Sequence, residues 1–164
     1  MDFLRQLEHS GFATWVREGG GLLSYPLILF CHTIGLGTLA GVSAFIDLRL
    51  LGFANRMPLA PLRGLFKLMW SAFALTAASG ICLLIADAHT KLASPIFYVK
   101  MVFVALALVN VSLIRRTVFA GDNIDQRPLP SSAKLLALTS LIFWVAATTA
   151  GRLMAYLGPV SGID

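Results

Sequence analysis

Few side chains of this 164-residue chain are suited to chemistry, and those few stand in apolar company. His32 lies in a run from Leu22 to Ile46 that holds no Asp, Glu, Lys or Arg. Lys100 interrupts a second run, Ile96 to Ile114, and Arg152 a third, Leu135 to Leu157. An imidazole can relay protons, exchange hydrogen bonds or ligate a metal near neutral pH. Two cations near it, with no acid embedded in the same runs, suit an anionic group such as a carboxylate, a lipid phosphate or a haem propionate. Trp144, Thr148, Arg152 and Tyr156 recur at every fourth residue, which lays them on one polar and aromatic stripe of a helix. The expected ligand-binding set is therefore His32, Lys100, Arg152, Tyr156 and Trp144.

Each of these residues also has a plainer role. Lys100 and Arg152 are long enough to snorkel to the lipid headgroups. His32 can be a neutral imidazole bonded to a neighbouring helix. His32 is a candidate metal ligand and His89 a more remote one; as a pair they would hold haem b, although no ligand spacing supports this. Asp47 and Arg49, at the end of the first run, are expected to form interface contacts with Arg115 or Asn110. Cys31 and Cys82 both fall inside apolar runs and are expected to be free. The chain has no Gly-rich phosphate loop, no Cys-x-x-Cys, no His-Glu-x-x-His and no pair of carboxylates within a helix. No catalytic residue is assigned, and a non-catalytic role is expected.

The elements that must hold these residues are membrane helices. Hydrophobic residues make up 57% of the chain and Asp, Glu, Lys and Arg only 13%, about half the share usual in a soluble domain. Thirteen basic and eight acidic side chains cannot cover the surface of a soluble fold of this size. A soluble enzyme, a disordered chain and a disulfide scaffold are excluded on composition. The net charge of +5 has a topological meaning in such a protein. With no basic run longer than Arg115-Arg116, nucleic acid is not an expected partner. The bilayer is, together with other membrane subunits or further copies of the chain.

Four segments are long and apolar enough to span a bilayer, where about 20 helical residues are needed. They predict helices over about 22–51, 63–88, 95–116 and 133–157, within a transmembrane domain of residues 22–164. Pro26, Pro58, Pro61, Pro95, Pro128 and Pro130 punctuate their ends. Residues 1–18 have an amphipathic pattern, with Leu4, Leu7, Gly11, Phe12 and Trp15 on one face, and predict a helix lying in the headgroup region. The fold class is all-α: four antiparallel transmembrane helices plus that interfacial helix. The stretches 47–67 and 115–134 each carry four Lys or Arg, against Arg5, Arg17 and Lys91 on the other side. The bias predicts both of these loops in the cytoplasm and both termini outside.

Two weaker patterns complete the sequence. Phe53-Ala54 followed by Arg56-Met57-Pro58-Leu59-Ala60-Pro61 echoes Phe119-Ala120 followed by Arg127-Pro128-Leu129-Pro130. A duplicated two-helix hairpin, related by a pseudo-twofold axis along the membrane normal, would explain the echo. Gly37 and Gly41 have the spacing of a close helix contact. They lie opposite the face shared by His32, Leu36, Leu39 and Ser43, and are expected against another helix, with a small-polar stripe of Thr76, Ser79 and Gly80 on offer.

His32-Thr33-Ile34-Gly35-Leu36, then Asp47-Leu48-Arg49-Leu50-Leu51-Gly52, resembles a family of uncharacterised four-helix bacterial inner-membrane proteins. The similarity continues through Pro95-Ile96-Phe97-Tyr98-Val99-Lys100-Met101, Asn110 and Ala150-Gly151-Arg152-Leu153-Met154-Ala155-Tyr156, and so covers most of the chain. The resemblance implies a multi-pass protein of the bacterial inner membrane and draws interest to His32, Lys100 and Arg152. It brings no activity with it. His9 and His89 fall outside the shared motifs, which weakens the bis-histidine haem reading. More distantly, the architecture is similar to copper-resistance membrane proteins and four-helix b-type cytochromes.

Overall fold

The computed structural model describes residues 11–19, 24–121, 124–126 and 128–157. Among them the helices are α1 (Gly11–Glu18), α2 (Tyr25–Leu51), α3 (Leu65–Ala86), α4 (Ala88–Ala93), α5 (Pro95–Thr117) and α6 (Ser132–Leu157), with no strand. Short 3-10 turns cover Ala60–Gly64 and Ile124–Gln126. Helices α2, α3 with its leading turn, α5 and α6 are each long and apolar enough to cross a membrane. That is the build of a multi-pass membrane protein. Leu135, Val145, Val102, Val109 and Ile81 stand exposed on their outer faces, while Ser43, Asp47, Asn110 and Ser140 are buried. A soluble protein could not leave so much apolar surface in water.

Helix ends follow local chemistry. Pro26 and Pro95 sit in the first turns of α2 and α5, where their missing N–H costs nothing. Ser24 occupies the N-cap position of α2, but its side chain makes no capping bond. At the other end Gly52 turns left-handed, with φ of 112°. Gly52 N–H then bonds Arg49 O at 3.3 Å, and Phe53 N–H bonds Leu48 O at 3.0 Å. This is the Schellman closure, which glycine adopts without a Cβ penalty. Gly52→Ala is expected to cost about 1 kcal/mol, read as a shift in detergent melting, because alanine must be forced into that left-handed φ.

The helices pack in the order α3, α2, α6, α5, and α1 rests against α3. Ala13 and Val16 of α1 are fully buried while Trp15 is half-exposed. The buried face of α1 is therefore that of Ala13 and Val16 and not the expected one, of which Gly11 and Trp15 stand exposed; residues 1–10 lie outside the described residues. The α4 helix, unforeseen in the sequence, joins α3 to α5 and is braced by Lys91 Nζ to Asp87 at 3.5 Å.

Helices α3 and α5 share no interface comparable to that of α2 with α6. A pseudo-twofold axis relating α2–α3 to α5–α6 would require one, so the packing is not that of a symmetric duplication. The two hairpins are stitched at the loop end instead. Asp125 Oδ1 accepts Leu59 N–H at 2.6 Å, Oδ2 accepts Ala60 N–H at 3.2 Å, and Arg63 Nη2 donates to Phe119 O and Gly121 O, both at 2.9 Å.

Gly37 and Gly41 do not touch another helix of the chain: a Cβ on either would meet nothing within 4 Å. The close approach is made by Gly35. A Cβ there would collide with Thr76 Oγ1 and come within 3.1 Å of Ala72 O and Thr76 N. Helix α2 packs through its His32 face, where Gly35, Leu39, Ser43, Ile46, Asp47 and Leu50 are buried.

Candidate functional site

His32 stands about two turns into α2, roughly 10 Å below the start of that helix. Its ring is held by α3. Nδ1 lies 3.0 Å from Thr76 O and 3.2 Å from Ser79 Oγ. A carbonyl oxygen can only accept, so Nδ1 carries the proton. The Ser79 hydroxyl donates to Leu75 O at 2.6 Å and therefore also accepts from the imidazole. Gly80 makes room for the ring, since a Cβ there would stand 3.0 Å from His32 Cε1. Thus the small-polar stripe of Thr76, Ser79 and Gly80 is a seat for His32, and the imidazole is fixed in orientation as well as in place.

Lys100 is half-buried on α5 and lies across α6. A Cβ on Gly151 would meet its Cδ, Cε and Nζ at 3.7–3.8 Å. His32 and Lys100 therefore occupy the end of the bundle at which α2 begins and α6 finishes.

The remaining candidates separate. Trp144 is 3% exposed and donates Nε1–H to Ser43 Oγ at 3.0 Å, in the core. Thr148 turns back on its own helix, donating to Trp144 O at 2.9 Å. Arg152 is exposed, and Tyr156 is 73% exposed. The stripe is real but not straight: each step of four residues advances about 40° around an α-helix, so twelve residues carry it about 120°, from core to surface. His89 is exposed on α4. No group of three or more His, Cys, Asp or Glu that could hold a metal occurs among the described residues. Cys31 and Cys82 are free.

An acid is embedded in the bundle after all. Asp47 is fully buried, and its contact is not with Arg115 or Asn110. The Ser43 hydroxyl donates to Asp47 Oδ2 at 3.4 Å, lies 3.3 Å from Ser140 Oγ, and accepts the Trp144 indole N–H. Asp47 Oδ1 has no hydrogen-bond partner among the described residues. Arg49 serves its own loop, donating to Met57 O at 2.7 Å and Asn55 O at 3.1 Å. Asn110 bonds Thr139 Oγ1 at 2.6 Å. The expectation failed because it followed the charge of Asp47 and not the face that this residue shares within the expected 22–51 helix. Helix α2 continues to Leu51, so Asp47 stands a full turn inside it, and the four-residue step from Ser43 was the available signal for a shared buried face.

What the arrangement can do follows from the tautomer. With Nδ1–H bonded to a carbonyl, Nε2 presents a lone pair that accepts a hydrogen bond or ligates a metal. The Lys100 ammonium, toward the same end of the bundle, supplies donors and a positive charge. Compared with protein-family models, with curated proteins and with solved structures, the chain matches none.

Proposed function

We propose that the protein is a non-catalytic, multi-pass binding subunit of the bacterial inner membrane, with its site at the end of the bundle that carries His32 and Lys100. The observation that supports this most is the bond from His32 Nδ1 to Thr76 O at 3.0 Å, which commits one ring nitrogen to the scaffold and leaves the other for a ligand. Such support from outside the contact shell is how proteins orient a binding imidazole. The ligand chemistry is a small molecule with an acidic oxygen for Lys100 and a hydrogen-bond donor for His32 Nε2. Arg152 and Tyr156, on the exposed side of α6, are placed in this reading at the rim. The Lys and Arg bias puts the site on the outer side of the membrane, with the loops 52–64 and 118–131 inside.

A second reading, haem b with His32 as an axial ligand, draws on the same bond. Iron would take Nε2 and a propionate would take Lys100; that haem would supply one-electron chemistry. His32 fits one axial position, and the described residues offer no assigned second one.

Protein purified from native membranes separates these readings. A small organic acid that co-purifies, and is reduced at least tenfold in both His32→Ala and Lys100→Met while melting stays near the parent, is expected. A Soret band lost in His32→Ala would favour haem instead. A folded, colourless protein whose co-purifying molecules are the same in both variants would overturn both.

A further inference from the structure

The opposite end of the bundle holds a second feature. Where α3 and α5 diverge, they leave a cleft of about 940 Å³. Its walls are the first turns of α3 and the last turns of α5, both near one end of their spans. Four cations line it: Arg63, Lys67, Arg115 and Arg116. None of the lining residues is acidic.

The cations have little else to do. Lys67, Arg115 and Arg116 are exposed, and none forms an ion pair with a described residue. The neighbouring acid, Asp125, is committed to the N–H groups of Leu59 and Ala60. Arg63 differs, since it ties the mouth of the cleft together through Phe119 O and Gly121 O. Below the charges the lining turns apolar. Phe66 and Phe119 meet edge to face with centroids 5.0 Å apart, and Trp70 and Val111 continue the wall toward the middle of the span.

We propose that this cleft binds an anionic phospholipid, its phosphate among Lys67, Arg115 and Arg116 and its first acyl carbons against Trp70 and Val111. The like charges of Lys67, Arg115 and Arg116 around one cavity repel one another unless an anion joins them. Their depth is that of the headgroups, because the helices that carry them begin or end there. A basic pocket between transmembrane helices above an apolar wall matches an amphiphile with a negative head. A soluble anion would satisfy the charges and leave the wall unused. The site is distinct from that of His32 and stands or falls apart from it.

The test compares the protein in nanodiscs of phosphatidylcholine with nanodiscs of phosphatidylcholine and phosphatidylglycerol of the same acyl chains. Retained lipid is read by native mass spectrometry after release, and stability by melting. The parent protein is expected to keep phosphatidylglycerol and to melt higher in its presence. Lys67→Gln with Arg116→Gln is expected to weaken retention roughly 25-fold, about fivefold for each cation at a headgroup surface, with melting in pure phosphatidylcholine unchanged. Arg56→Gln with Lys134→Gln removes two exposed charges from outside the cleft at the same end and is expected to change retention less than twofold. An equal loss in the two double variants would overturn the proposal, leaving only general surface charge. Equal stabilisation by inorganic phosphate in phosphatidylcholine discs would overturn it too, in favour of a soluble anion.

Discussion

Gly35→Val is expected to destabilise the bundle by about 3 kcal/mol, measured by SDS titration in mixed micelles. Overpacking a filled interface costs about 1–3 kcal/mol, and this position lies at the upper end. The added carbon would meet Thr76 Oγ1 and two atoms of the α3 backbone at 3.1 Å. A flexible side chain could swing aside, but Ala72 O and Thr76 N belong to a helix and cannot. The two helices would have to separate, and with them the carbonyl of Thr76 from the ring of His32. Gly37→Val is the matched control, because nothing lies within 4 Å of a Cβ there. It is expected to change stability by less than about 0.5 kcal/mol, as surface substitutions do. A larger loss at position 37 than at 35 would show that the interface runs through the other side of α2.

Ser43→Ala is the second large effect, at about 2–3 kcal/mol in the same titration. The hydroxyl is shared by Trp144, Ser140 and Asp47. Hydrogen bonds between transmembrane helices average about 0.6 kcal/mol in double-mutant cycles, so the two that cross to α6 give about 1 kcal/mol. Stranding a buried indole N–H and one more carboxyl oxygen adds to that figure, since an orphaned polar group costs about 1–3 kcal/mol. The network is also coupled. In a Trp144→Phe background the indole N–H is already gone, so Ser43→Ala should cost about 1 kcal/mol less than in the parent. Strict additivity of the two substitutions would refute a shared hydroxyl.

The transmembrane helices were legible because apolar length and proline spacing report on a bilayer without reference to any neighbour. Expected ends at 51, 95, 116 and 133 fall within one residue of Leu51, Pro95, Thr117 and Ser132. Which face of each helix meets which neighbour was harder to read. In water, burial is written in apolar residues, but here lipid and core are both apolar, and the glycine spacing at 37 and 41 carries no sign for inside or outside. Gly35 has no such spacing partner, yet it makes the contact, because His32 beside it is seated on Thr76, Ser79 and Gly80. Asp47 was assigned to the interface by charge alone, while its four-residue step from Ser43 told of a shared face. The stripe from Trp144 to Tyr156 was read as one surface because each neighbouring pair is close, and only the accumulated rotation separates its ends. Helix α4 was invisible because six residues carry too little periodicity to stand out.

The cluster around Asp47 also has a bearing on how the protein is made. Asp47 and Ser43 lie on α2, and their partners Ser140 and Trp144 lie on α6, 97 and 101 residues after Ser43. At 5–20 residues per second, that separation leaves roughly 5–20 s in which the carboxyl is synthesised and inserted with only its own serine for company. A polar group is costly in bare lipid, so during this interval α2 favours a place beside the insertion machinery or near the headgroups. Arrival of α6 provides the indole and the second hydroxyl that let Asp47 settle at its final depth. A chain truncated before α6 should therefore be a preferred substrate for membrane quality-control proteases, and that preference should fade in Asp47→Leu.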